Sequence, residues 1–223
     1  MSVVYDNSAH VEGQAVTTLT TPAFTITSNT NRAGFIGFAV NKAITSFTTS
    51  LGGVSGVLVA GTDSGLINSS IRTVVYGVTA PPSGSQTATA SWTTAADAGL
   101  GVSTASGVDQ TTPLNNGGTA NDQGINPTVS LTITSTSGDL THDVYGQDGT
   151  SVPSTNQTQR WSAGSGVAVW YAGDSGPGTG TATHTETKGN SLYDGLLSGA
   201  NFKQVAGGAA GIPILVLQPI TPT

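Results

Sequence analysis

The chain reads as an all-β protein, an antiparallel β-sandwich, and three observations carry that reading. Uncharged polar residues alternate with apolar ones over short segments, the period-2 signature of strands wetted on one face. Gly, Pro, Asn and Asp punctuate the chain at intervals of roughly 8–12 residues, the turn spacing of a sandwich. No window of a dozen residues holds a 3.6 period, so helix is confined to a turn or two.

The strands follow in order. Val16 to Ile26 mixes threonine with apolar residues, and Gly34 to Val40 is almost wholly apolar, as in a strand covered on both faces. Ile44 to Leu51 alternates loosely, Gly56 to Ala60 is apolar, and Ile71 to Val78 runs into a turn at Pro81-Pro82-Ser83-Gly84. Thr87 to Trp92 alternates, and Leu100 to Ala105 ends at a turn near Gly107. Asp109 to Pro127, rich in Asn, Gly, Asp and Gln, has no pattern and reads as a long loop. Val129 to Ile133 is a strict period-2 strand, and Leu140 to Tyr145 alternates after the turn at Ser137-Gly138-Asp139. A short strand at Gln157 to Trp161 precedes Val167 to Ala172 and a turn at Asp174 to Gly180. Thr181 to Thr187 sets its threonines on one face and Ala182, His184 and Glu186 on the other. Residues 1–206 form one domain on this reading. Residues 207–223 are a Gly-rich hinge and an apolar C-terminal segment, either a last strand or an arm for a neighbour, with Ile212, Ile214, Leu215, Val216, Leu217 and Ile220 as its contact residues.

Four segments together resemble a β-sandwich family of phage and prophage structural proteins and bacterial surface proteins. They are Asn31-Arg32 before the apolar strand, Ser106 to Leu114 (SGVDQTTPL), Ser137-Gly138-Asp139-Leu140 leading to Asp143-Val144, and Gln157 to Trp161 (QTQRW) before Val167–Ala172. The resemblance spans about residues 15 to 190. It implies a jelly-roll-like fold in a non-enzymatic role, with no active-site residues to carry over.

Charge narrows the function classes. Only 8% of residues are Asp, Glu, Lys or Arg, against about 25% in an ordinary domain. The net charge is -6, and the six cations are scattered (Arg32, Lys42, Arg72, Arg160, Lys188, Lys203), so no basic stripe exists to neutralise phosphates or anionic lipid. Neither nucleic acid nor a membrane is an expected partner. The longest apolar run, Ile212 to Leu217, is too short to span a bilayer. With no cysteine, disulfides, thiolate catalysis and Cys-ligated metal are excluded. The opening residues lack a basic and apolar leader pattern, so the expected location is a virion assembled in the host cytoplasm, with the cell surface as the alternative.

Catalytic and metal-binding patterns are sparse. His10, His142 and His184 show no ligand spacing and are expected as isolated strand or surface histidines. No Gly-x-Ser-x-Gly elbow is present. Asp139 and Asp143 share a strand face about 13 Å apart, beyond the separation of a glycosidase pair. Asn115, Asn116, Asn121, Asp122 and Asn126 offer oxygen atoms, yet no calcium-loop motif joins them. No cofactor or metal is expected.

The expected function is therefore that of a capsid decoration or cement protein, touching a major capsid or other virion protein and self-associating, a trimer among the possible forms. The alternative is a carbohydrate-binding adhesin or tail-associated receptor binder, with Asn115, Asn116 and Asp122 of the loop and Trp161 as ligand contacts. A self-assembling surface or filament subunit is the second alternative.

Overall fold

The structure is a computed structural model and describes residues 2–206 apart from 45, 69–70, 125, 150–152, 164–168 and 179. The C-terminal contact residues Ile212, Ile214, Leu215, Val216, Leu217 and Ile220 lie outside the described residues. All described regular structure is strand, and every pairing is antiparallel.

The first strands are β1 (Val4–Thr20), β2 (Phe24–Ile26), β3 (Ala33–Val40), β4 (Phe47–Leu51), β5 (Val54–Ser55) and β6 (Val57–Leu58). Next come β7 (Arg72–Thr79), β8 (Gly84–Gln86), β9 (Ala88–Ser106), β10 (Leu114–Gln123), β11 (Thr128–Thr134) and β12 (Leu140–Asp148). The last are β13 (Ser154–Thr155), β14 (Thr158–Ala163), β15 (Val169–Pro177), β16 (Thr181–Thr187) and β17 (Asp194–Phe202).

The largest sheet has the order β5-β4-β9-β3-β7-β6, with β1 added along β9. It is barrel-like. Its two end strands, β5 and β6, flank Gly56, whose N–H donates to the Thr49 carbonyl (2.8 Å), so one stretch of chain pairs first with β4 and then with β7. Rolling a sheet in this way removes the long exposed edges that invite aggregation. A second sheet runs β10-β17-β12-β15-β14, and a third runs β11-β16-β13.

Three apolar clusters hold these sheets. The first fills the roll, where Phe38 meets Trp92 (ring centroids 4.9 Å) and Phe47 (5.0 Å) beside Ile36, Leu100 and Val102. The second joins the outer face of the roll to the five-stranded sheet through Phe35, Ala39, Val75, Val144, Leu196 and Phe202. The third joins the opposite face of the five-stranded sheet to the three-stranded one through Tyr145 and Leu197 against Val129, Leu131 and Ile133. All eight residues of β3 are buried because Ile36, Phe38 and Val40 enter the first cluster while Ala33, Phe35 and Ala39 enter the second.

Several elements depart from the sequence reading. The turn expected at Asp174–Gly180 is strand as far as Pro177, because β15 keeps its pairing with β12 up to Leu140. The strand expected at Val16–Ile26 is divided between β1, which begins at Val4, and β2, which pairs with β8 in a separate sheet. β17, buried along almost its whole length, carries no alternation that the sequence reading picks out. The stretch expected as a loop from Asp109 to Pro127 contains β10, an edge strand that pairs with β17 and is bulged between Asn115 and Gly118. Its side chains are mostly half-buried or exposed, so it needs no apolar alternation and shows none. The segments Thr87–Trp92 and Leu100–Ala105 are one 19-residue strand, β9, which exchanges β4 for β3 as its neighbour partway along.

Candidate functional site

β12 carries the densest set of ionisable groups in the fold. Its alternation sends Thr141, Asp143, Tyr145 and Gln147 to one face and His142 and Val144 to the other. The facing strand β16 turns Ala182, His184 and Glu186 inward and its threonines outward. The two strands meet in the layer beside the third apolar cluster.

There His184 Nδ1 lies 3.0 Å from Asp143 Oδ2, and His184 Nε2 lies 2.8 Å from Thr141 Oγ1. A hydroxyl, an imidazole and a carboxylate in line have the outline of a nucleophilic triad. Two features set it apart from one. Thr141, Asp143 and His184 are all fully buried, so no substrate reaches the hydroxyl. The Thr141 hydroxyl also spends its single proton on the Gly176 carbonyl (3.0 Å), so toward His184 it accepts. His184 Nε2 then donates, and its Nδ1 faces the Asp143 carboxylate, so the ring bridges two residues of β12 from the neighbouring sheet. Buried ion pairs of this sort persist where each remaining donor and acceptor finds a partner.

Other polar groups extend the layer. Lys188, fully buried, bonds to the Asp122 carboxylate and donates to the carbonyls of Ser191 (3.2 Å) and Tyr193 (2.8 Å). Burial pushes Asp122 upward, but the Lys188 bond and those from the Asn126 side chain and backbone outweigh it and hold the carboxyl below its ordinary range. Tyr145 donates to Gln147 Oε1 (3.0 Å); burial, with the Glu186 and Asp122 charges, raises its phenol above the usual value. At the turn before β12, Asp139 accepts from Thr136 N–H (2.8 Å), Asn201 Nδ2 (2.9 Å) and Gln204 N–H (2.8 Å). Those bonds overcome the upward push of its burial and keep it low.

His142, on the opposite face of β12, is also fully buried, and neither ring nitrogen has a hydrogen-bond partner. It packs edge-on against Phe35 at 4.5 Å. Burial, then the positive charges of His184 and Arg160, drives its pKa well below the ordinary histidine value.

The candidate ligand contacts do not converge. Asn115 and Asn116 lie on β10, where Asn115 accepts from Asn201 (2.9 Å) and Asn116 donates to the Thr134 carbonyl (2.8 Å). Asp122 is taken up by Lys188. Trp161 belongs to β14, at the edge of the five-stranded sheet opposite β10, with three strands between, so about 19 Å separates the two. Its indole is 5% exposed and lies over Gly101 and Gly173, where an added Cβ would sit 1.9 Å and 2.2 Å from ring atoms. A buried tryptophan offers no stacking platform to a sugar. Among the described residues no group of three or more His, Asp or Glu is arranged to hold a metal ion, and no helix is long and apolar enough to cross a membrane.

Sequence reasoning missed Asp143, His184 and His142 as buried groups. The alternation of Thr181–Thr187 does put His184 on an inner face, but its partner depends on how two sheets stack. In comparisons with known proteins, no family model and no curated sequence matches this chain.

Proposed function

We propose that this chain is a non-enzymatic structural protein of a phage virion, a capsid decoration or cement protein that stabilises the shell through contacts with the major capsid protein and with its own copies. The finer architecture that goes with this reading is a jelly-roll-like sandwich. The observation that carries it is the outer face of β11 and β16. In register, Thr128 faces Thr187, Ser130 faces Thr185, Thr132 faces Thr183 and Thr134 faces Thr181. Ser130 and Thr185 hydroxyls lie 2.8 Å apart and those of Thr132 and Thr183 3.2 Å apart. Eight hydroxyl-bearing residues thus pave one uncharged face, and seven of them are exposed.

Such a face suits a seam between rigid subunits. Cross-strand hydroxyl pairs satisfy one another, so covering them strands few polar atoms. With no charge to screen, the contact holds across a wide range of salt. The ionisable constellation beneath is sealed from solvent, which supports a mechanical role over turnover.

The test adds purified protein to particles assembled without it and follows co-sedimentation and the shell's melting temperature. Bound protein should raise that temperature, and Thr132→Lys with Thr183→Lys should abolish binding while the isolated protein keeps its own melting temperature. No binding to any virion component would sink the proposal, and hits on a glycan array that depend on this face would replace it with the carbohydrate-binding reading.

A further inference from the structure

We infer that copies of this chain associate head to tail, the exposed Leu192 of one copy entering the open groove between β6 and the Thr111–Leu114 turn of the next. The groove holds about 290 Å³ and is walled by Val57, Val59, Gly77, Thr112, Pro113 and Leu114. It is where the second apolar cluster runs out to solvent. Val59 and Leu114 belong to that cluster, while Val57 is 72% exposed and Leu58 45% exposed. Four large apolar side chains are exposed among the described residues, and Leu192, at 78%, is the most exposed of them. Its turn is well held. Leu192 N–H donates to Asn190 Oδ1 (3.0 Å), Tyr193 N–H to the Asn190 carbonyl (3.2 Å), and Lys188 Nζ to the carbonyls of Ser191 (3.2 Å) and Tyr193 (2.8 Å). An apolar tip on so fixed a turn loses little freedom on docking.

Tip and groove lie at opposite ends of one strand pair. Leu114, in the groove wall, faces Phe202 where β10 begins, and Gln123 faces Asp194 where it ends, two residues past Leu192. From Asp194 to Phe202, β17 spans about 27 Å, so the leucine does not reach the groove of its own copy. Complementary features at opposite ends of one molecule make a heterologous contact, which closes into a ring or continues as a filament.

Charge favours the same pairing. No charged residue lines the groove, but Lys203 and Arg32 stand at its rim. Lys203 Nζ donates to Thr112 Oγ1 (3.1 Å) and lies 3.5 Å from Asp109. The Arg32 carbonyl accepts from the Gln110 side chain (3.1 Å) and from Ala80 N–H (2.9 Å), next to Thr111 and Thr79 of the groove. With Asp109 set against Lys203, the rim keeps the positive charge of Arg32. At the Leu192 end, Lys188 and Asp122 pair with each other. That leaves Asp194 and Asp148, neighbours because Gln147 faces Gly195 across β12 and β17. A negative end therefore meets a positive rim, which steers the two copies into register. The contact stands apart from the β11–β16 face and from any virion role, and its test uses the free protein alone.

The chain has no cysteine, so single introduced thiols report cleanly. Val57→Cys and Leu192→Cys, both at exposed sites, are prepared separately and oxidised alone and as a mixture. The mixture should give far more disulfide-linked dimer than either variant alone, because the two thiols meet only across the contact. Leu192→Asp should keep the parent's melting temperature, yet weaken self-association in sedimentation by roughly tenfold or more, since it carries a charge into an apolar groove. Leu192→Met should retain the association, and added salt should weaken it. A parent chain that stays monomeric up to about 1 mM would overturn the inference. Self-linked Val57→Cys dimers as abundant as the mixed product would overturn it in favour of a two-fold contact through the groove. Undiminished association of Leu192→Asp would overturn it in favour of another face.

Discussion

His184 Nδ1 faces Asp143 Oδ2 across 3.0 Å with both side chains wholly removed from solvent, on strands that belong to different sheets. This pair ties the three-stranded sheet to the five-stranded one beside the third apolar cluster. Removing one partner leaves the other buried and uncompensated, a loss of about 3–5 kcal/mol. Asp143→Ala and His184→Ala should each show that loss in urea denaturation, while Asp143→Leu with His184→Leu should be less damaging than either. A double variant at least as unstable as the singles would show that the pair contributes more than it costs to bury.

Acid should weaken the fold through His142. Its folded-state pKa is depressed, so the folded chain resists a proton that the unfolded chain accepts below about 6.5. The unfolded state then binds more protons, and stability falls as pH drops from about 6.5 toward the folded value, by up to about 1.4 kcal/mol per pH unit. Above that window the contribution is fully present. His142→Phe should flatten the melting temperature between pH 6.5 and 4.5. The depressed carboxyls Asp122 and Asp139 act in the same direction at lower pH, their stabilisation being lost as they protonate below their ordinary value of 3.8.

The slot around Trp161 makes a third prediction. Gly101 and Gly173 leave no room for a side chain, so Gly101→Ala must displace the indole or the strand. Overpacking of this kind costs about 1–3 kcal/mol. The shift should appear as a lower melting temperature together with red-shifted tryptophan emission, whereas Gly53→Ala, at a site with open space around the Cβ but positive φ (80°), should cost stability without moving the emission.

What the sequence makes legible follows from where each signal resides. β3 and β16 declare themselves because burial is written in their own residues: eight apolar or small residues for one, strict Thr alternation for the other. β10 does not, because its place comes from bonds to β17 and its Asn- and Gly-rich side chains have little to bury. The His184–Asp143 pair is illegible for a different reason. The strand faces are readable, but which sheet stacks on which is a property of the whole fold. Trp161, at the end of a short strand, reads as a candidate ligand contact because the two glycines that receive it are 60 and 12 residues away and contribute nothing but the absence of a Cβ.

Lys188 poses the sharpest test of the buried polar layer. Its ammonium has three described acceptors, the Asp122 carboxylate and the carbonyls of Ser191 and Tyr193, and it fastens the turn after β16 to the end of β10. Lys188→Met preserves the stem's volume but leaves the Asp122 carboxylate facing two carbonyl oxygens, so it should lose about 2 kcal/mol or more. Adding Asp122→Asn removes the stranded charge and restores donors toward those carbonyls. The double variant should therefore recover part of the loss, seen as a urea midpoint between those of the single variant and the parent. If Lys188→Met alone leaves the midpoint unchanged, the lysine is not what holds the Asp122 end of β10 against the turn after β16.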